Sequence, residues 1–183
     1  MTNASANSVQ KFQAFLPVVG NNVFLHASAV VIGQVTIGDE CSIWPQAVIR
    51  GDVNSIRIGH GTNIQDLSML HVSHQSSEDP VGAPLVIGNH VTIGHSVILH
   101  GCTIEDECLI GMGSIIMDKA VVQKHVMVAA GSLVPEGKIL ESGYLYVGSP
   151  ARRIRPLTPE EISHLMYSAN HYIQLKNQYL SHA

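Results

Sequence analysis

Aliphatic side chains recur every six residues along most of this chain. The register runs Leu25, Val31, Ile37, Ile43, Ile49, then Ile58, Ile64, Leu70, then Ile87, Ile93, Leu99. It drops one residue and continues at Ile104, Ile110, Ile116, Val122, Val128 and Val134. Four positions after each early aliphatic stands a small or β-branched residue, as at Ala29, Val35, Cys41 and Ala47. Glycine often follows the aliphatic, as in Ile37-Gly38, Ile58-Gly59 and Ile93-Gly94, where it tolerates tight corners. A six-residue period is too short for a helix hairpin or a propeller blade, and it fits one short strand and turn of a β-solenoid. Three hexads close one triangular coil, so these seventeen positions predict five to six coils stacked at the ~4.8 Å strand spacing. An antiparallel sandwich alternates with period two and has no reason to keep a period of six.

Two interruptions break the period. Ile49 and Ile58 lie nine residues apart, which makes Arg50-Gly51-Asp52 and its neighbours a corner excursion. Residues 73–84 are polar and turn-rich, which predicts a loop pushed out of the solenoid. The pattern changes again near Pro156. Thr158, Pro159 and Glu161 form a helix start with a capping box. Ile162, Leu165, Met166, Ala169, Tyr172, Ile173 and Tyr179 then mark one apolar stripe. The chain thus divides into a repeat region, 1–156 with an N-terminal lead-in, and a helix within 157–183 that packs along it.

Composition narrows the class. Charged residues are 13% of 183 and Val plus Ile supply 38, which excludes disorder, coiled coil and helical bundle. A formal charge of −4 predicts no nucleic-acid or anionic-membrane partner, and Arg152, Arg153 and Arg155 read as a solvated cluster. No apolar run reaches membrane-span length and no signal-peptide pattern opens the chain, so a cytoplasmic location is expected. Cys41, Cys102 and Cys108 lack metal spacing and read as reduced core thiols.

The chain carries eleven histidines. His71 and His100 each follow an inward leucine, Leu70 or Leu99, and removing the extruded loop from the count stacks one over the other on adjacent coils. That separation suits a zinc-type ion at ~2.0 to 2.1 Å from each nitrogen. His95 sits one slot further round its hexad and leaves the coil at a different angle. It completes such a site only by bridging to a neighbouring copy, for which a trimer is the natural closed ring. Three neutral imidazoles leave one coordination position open, the arrangement that lowers the pKa of bound water to near 7. Nearby lie Arg50, Asp52, Gln65 and Asp66. Gln65 is placed to orient a metal-bound hydroxide, and Arg50 with Asp52 or Asp66 to form an ion pair at a subunit seam.

Taken together, Arg50-Gly51-Asp52, Asn63-Ile64-Gln65-Asp66, His71, Gly94-His95 and His100-Gly101-Cys102, set in hexapeptide repeats, resemble the γ-class carbonic anhydrase family, closest to its bacterial carbonic-anhydrase-like branch. The likeness extends through Gly111-Met112-Gly113, Gly148-Ser149-Pro150 and the helix segment Tyr167-Ser168-Ala169-Asn170. It implies an all-β solenoid, a left-handed parallel β-helix with a C-terminal α-helix, assembled as a homotrimer. It implies zinc, with iron(II) or cobalt(II) as alternatives, bound by His71 and His100 of one chain and His95 of the next. Gln65 would orient the reacting water, Arg50 with Asp52 and Asp66 would join subunits, and Tyr167 matches a tyrosine behind the site. Two departures stand out. Val53 replaces an acidic residue that follows the Arg-Gly-Asp motif in the founding enzymes, and Val72-Ser73-His74 with a shorter insertion replaces their acidic loop and its glutamate proton shuttle. His74 is a candidate substitute, because an ordinary imidazole pKa of ~6.5 suits proton transfer near neutrality.

The expected activity is therefore reversible hydration of CO2 to bicarbonate. The alternatives are thioester or ester hydrolysis by the same metal site, acyl transfer from coenzyme A, and a non-catalytic trimeric scaffold.

Overall fold

The computed structural model describes residues 8–182; the rest of the expected lead-in, 1–7, and residue 183 lie outside it. The six-residue period folds as a parallel β-solenoid with three faces. On the first face Val9, Val31, Ile49, Leu70, Leu99, Ile116 and Val134 stack in register, each strand pairing in parallel with the next. The second face stacks Val19, Ile37, Ile58, Ile87, Ile104, Val122 and Leu140. The third stacks Leu25, Ile43, Ile64, Ile93, Ile110, Val128 and Tyr146. Two long strands, Val30–Ile37 and Val48–Ile58, run round the corner between the first two faces and serve both.

The stack is longer than the five to six coils expected from seventeen positions. Val9 and Val19 in the lead-in add an opening rung, and Leu140 and the aromatic Tyr146 continue the period past Val134. Nearly all these inward side chains are fully buried, each worth ~1.5 to 3 kcal/mol over exposure. The small corner residues Ala29, Cys41, Ala47, Thr62 and Ser68 are buried too, because the chain turns tightly there. The three cysteines are core residues, as expected. Burial pushes the Cys41 and Cys108 thiols up to about 12, and that of Cys102 up as well. At pH 8 the folded protein is therefore expected to present no thiol to a disulfide reagent such as DTNB and the denatured protein three; any thiol titrating in the folded state would contradict this.

After Tyr144–Val147 the chain reverses, and Arg152–Pro156 pairs with that strand antiparallel at the end of the third face. The arginine cluster is exposed, with two of its three members paired: Arg155 binds both carboxylate oxygens of Glu161 at 2.7 Å, and Arg153 binds Glu141 while lying 4.7 Å from the Tyr144 ring centroid. The helix Pro159–Ser181 then starts with the expected capping box between Thr158 and Glu161. It runs back along the third face, packing on the strands at Phe24–Leu25, Ser42–Ile43, Asn63–Ile64 and Thr92–Ile93. Leu165 and Ala169 of the expected stripe are buried, and Tyr172 and Tyr179 pack on Trp44 at 5.6 and 5.3 Å between ring centroids. The third fully buried helix residue is Lys176. Its ammonium lies 2.8 Å from Glu40 and 2.7 Å from the Asn177 side-chain oxygen.

Among the described residues no helix is long and apolar enough to cross a membrane.

Candidate metal centre

The rung spacing brings His71 and His100 together because Leu70 and Leu99 pair directly, and the pairing continues to His71↔His100. Their rings cross at 5.1 Å between centroids, with His71 Nδ1 3.1 Å from His100 Nε2. Each outer nitrogen faces a carboxylate: His71 Nε2 lies 3.0 Å from Asp52 Oδ1, and His100 Nδ1 hydrogen-bonds Asp118 Oδ1. An ionised carboxylate only accepts, so each imidazole donates its outer N–H. For neutral rings the two inner nitrogens then present lone pairs to one another. Facing lone pairs repel unless a cation lies between them. Two ligands at ~2.05 Å subtending a tetrahedral angle are separated by roughly 3.3 Å, close to the separation here. The donor set therefore fits a divalent metal, with a carboxylate behind each imidazole.

Asp52 is held on its other side by Arg50. Burial pushes its carboxyl up, but hydrogen bonds from His71 and Arg50 outweigh that and hold it below the usual carboxylate range. Asp118 belongs to the next rung, and its second oxygen accepts from Ser73 Oγ at 2.6 Å. Gly101 permits this approach: it has φ of +50°, and a Cβ there would lie 2.6 Å from Asp118 Oδ1 and 2.5 Å from Ala83 Cβ. Loop 73–84 folds back over the same corner through a bridge between Ser73 and Ala83. Asn54, in the excursion after Asp52, donates to the carbonyls of Ser73 and Val81 at 3.0 and 2.9 Å. His74 is exposed at the base of the loop and Val53 is exposed in the excursion.

Gln65, Asp66 and His95 occupy a different corner, where the third face turns into the first. His95 Nδ1 lies 2.9 Å from Asp66 Oδ2. Gln65 is buried and donates to Asn63 Oδ1 at 3.1 Å; Asn63 reaches Thr92 at 3.1 Å, and Thr92 meets Ser168 of the helix at 3.0 Å. A cavity of about 310 Å³ beside them is lined by Trp44, Asp66, His95, Tyr172 and Leu175 among others. Tyr172 and Tyr179 are the helix tyrosines that line it, and burial with the charge of Asp66 pushes the Tyr172 hydroxyl up. Tyr167, the tyrosine singled out from the sequence, is exposed between the His164 and His171 rings, at 5.7 and 6.2 Å.

Apart from Tyr167, the candidate residues therefore fall into two groups on two corners, and no cluster of three metal-ligating side chains forms among the described residues. The outward side of the first face lies between them. It carries Val30, Val48, Met69, Ile98, Ile115 and Leu133, all partly or fully exposed, with exposed Leu67, Met112 and Met117 at its margins. Asp118, Asn63, Ser73 and Tyr172 were not singled out from the sequence as site residues. Asp118 had a usable signal, since it stands two places past the inward Ile116, one rung beyond His100.

Residues 17–51 match the family model described as bacterial transferase hexapeptide (six repeats). The chain is 55% identical to the Escherichia coli protein YrdA, covering 94% of both chains. It is 39% identical to a probable carbonic anhydrase of Methanocaldococcus jannaschii, over 86% of this chain and 95% of that one. Identity reaches 50% with the mitochondrial γ-carbonic anhydrase 1 of Arabidopsis thaliana, over 87% of this chain and 58% of that longer one. A crystal structure of a hexapeptide transferase family protein from Anaplasma phagocytophilum superposes with a TM-score of 0.89 at 43% identity, covering 96% of this chain and 99% of that one. With the hexapeptide solenoid in place and this identity spread over nearly its whole length, the chain belongs to the γ-class carbonic anhydrase family of hexapeptide-repeat proteins.

Proposed function

We propose that this protein is a cytoplasmic, metal-dependent carbonic anhydrase, a homotrimer that hydrates CO2 reversibly at sites shared between subunits. The observation that carries this reading is the pair of converging nitrogens on His71 and His100, each backed by a carboxylate. The apolar outward side of the first face supports the assembly: it is contiguous, and it joins the His71 corner to the His95 corner. A cyclic, head-to-tail arrangement sets one corner of each chain against the other corner of its neighbour. His71 and His100 of one subunit with His95 of the next would then hold the ion. Zinc, iron(II) and cobalt(II) all suit three imidazoles. When bound, the metal supplies Lewis acidity that makes water nucleophilic near neutral pH.

The chain's own residues position and deprotonate that water. Asp52 and Asp118 fix the tautomer and ring orientation of His71 and His100. Gln65 commits its side-chain N–H to Asn63, which leaves its Oε1 to accept from the attacking water. Arg50 and Asp52 contribute their ion pair, and Asp66 its contact with His95, at the seam. Hydration takes CO2 and water to bicarbonate and one proton, which His74 passes to buffer. The cavity beside His95 is larger than CO2 requires, which favours ester or thioester hydrolysis as a second reading.

The deciding experiment is stopped-flow CO2 hydration on anaerobically purified protein reconstituted separately with zinc and iron(II), with p-nitrophenyl acetate as the ester control. Metal-dependent hydration is expected. Metal-loaded protein at the buffer background would overturn the anhydrase, and ester turnover in that case would select the second reading. His74→Ala is expected to slow hydration in dilute buffer and recover in concentrated buffer. Equality with the parent in both would remove His74 from the proton path.

A further inference from the structure

We propose that Asp118 is a positioning residue shared between the metal corner and the extruded loop, so that metal binding and closure of loop 73–84 are coupled. This rests on reading His71 and His100 as metal ligands. Asp118 uses both carboxylate oxygens, one on His100 Nδ1 and the other on Ser73 Oγ. It therefore connects a ligating ring on one rung to the first residue of the loop. The next residue, Lys119, reaches Asp79 at the far end of the loop at 2.6 Å. Asn54 ties the two loop strands to the Arg50-Gly51-Asp52 excursion, which in turn carries the carboxylate behind His71.

The loop is thus fastened to both carboxylates that stand behind the ligand pair, directly at Asp118 and through the Asn54 excursion at Asp52. The absence of a side chain at Gly101 lets Ala83 and Asp118 come together beside His100. A loop that opens withdraws Ser73 from Asp118 and loosens His100. Conversely, a metal that fixes His100 fixes Asp118 and favours the closed loop, because coupling between two binding events is reciprocal.

The test uses the full-length protein with zinc, measured by chelator competition, and with cobalt(II), measured by visible absorption. Loop opening is read by limited proteolysis of 73–84 with and without metal. Asp118→Asn is expected to weaken zinc binding about 10- to 100-fold, to change the cobalt(II) spectrum, and to abolish the slowing of loop cleavage by metal. Ser73→Ala, which leaves Asp118 on His100, is expected to weaken zinc binding less than Asp118→Asn does and yet lose most of the protection of the loop by metal. Thermal melting of the metal-free variants separates these effects from unfolding, and if Asp118→Asn does not fold, Ser73→Ala carries the test alone.

Parent-like zinc affinity and cobalt(II) spectrum in Asp118→Asn would overturn the proposal, as would full protection of the loop by metal in Ser73→Ala or loop cleavage in the parent that metal does not slow. A parent protein that binds neither metal removes the metal reading and this coupling with it. A parent that binds metal without hydrating CO2 fails only as an anhydrase.

Discussion

Replacing His100 with alanine is expected to lower CO2 hydration roughly a thousandfold or more, to the buffer background, since in the proposed site the acidity of the reacting water would come from the metal. Metal content should fall in parallel, measured by elemental analysis after dialysis. His100 contributes one of the two converging nitrogens, and its loss leaves His71 with Asp52 but no second ligand on the same chain. On the proposed shared site His95→Ala should be equally inactive for a different reason, because His95 lies on the other corner and would serve the neighbouring subunit. The two variants should therefore complement one another. Refolded together at random in equal amounts, they place an intact His71–His100 pair against an intact His95 at about one interface in four. Recovery of about a quarter of the parent activity, from two inactive proteins, is the expected result. No recovery in a mixture shown to contain mixed trimers would refute a site shared between chains.

The second large effect is on stability. Glu40→Ala is expected to destabilise the fold by about 3 kcal/mol, the lower end for breaking a buried pair, because it strands the ammonium of Lys176. That side chain is 0% exposed, whereas Glu40 is 29% exposed, so some solvent can relax around the cut. For a chain of this size the loss corresponds to a melting temperature lower by roughly 6 to 12 °C. Lys176→Met, which removes the buried charge itself, should cost much less. The pair also sets a pH dependence. Burial pushes the Glu40 carboxyl up, but hydrogen bonds from Lys176 and Asn22 outweigh it and leave it below the ordinary value. A lowered carboxylate pKa stabilises the fold at neutral pH, and the contribution disappears as pH falls through the folded-state value. The parent should therefore lose more stability than Glu40→Ala between pH 7 and pH 3, and parallel melting curves across that range would contradict the pair's contribution.

His71 over His100 was legible because a solenoid converts sequence separation into height: once loop 73–84 is set aside, counting hexads places the residues on adjacent rungs. His95 was legible as the odd member for the same reason, being one slot further round. Counting gives the rung of Asp118 but not its aim, because the turn at Gly101 is what brings the carboxylate to His100. Tyr167 and Tyr172 were harder. Both fit a helical stripe, and which one meets Asp66 depends on the rotation of the helix about its axis. That rotation is set by Leu165, Ala169 and Lys176 against the third face. Lys176 runs against the pattern altogether, since a charged side chain marks a solvated position until its partner is known. The first rung was only half legible: Val19 stands one hexad before Leu25, in register, but Val9 lies ten residues before Val19, outside the period.

The returning helix changes what kind of object the stack is. A solenoid on its own is nearly one-dimensional, each rung held by its two neighbours, and such arrays fray from their ends and open piecemeal. Here the helix leaves the last rung and reaches the first ones, where Asn177 meets Asn22 across 155 residues of sequence and Tyr179 packs on Phe24. The most distant rungs are thereby made to depend on each other. A linear ladder with two loose ends becomes a loop of contacts with none, and amide exchange along it should report one cooperative opening in place of a gradient from middle to tips.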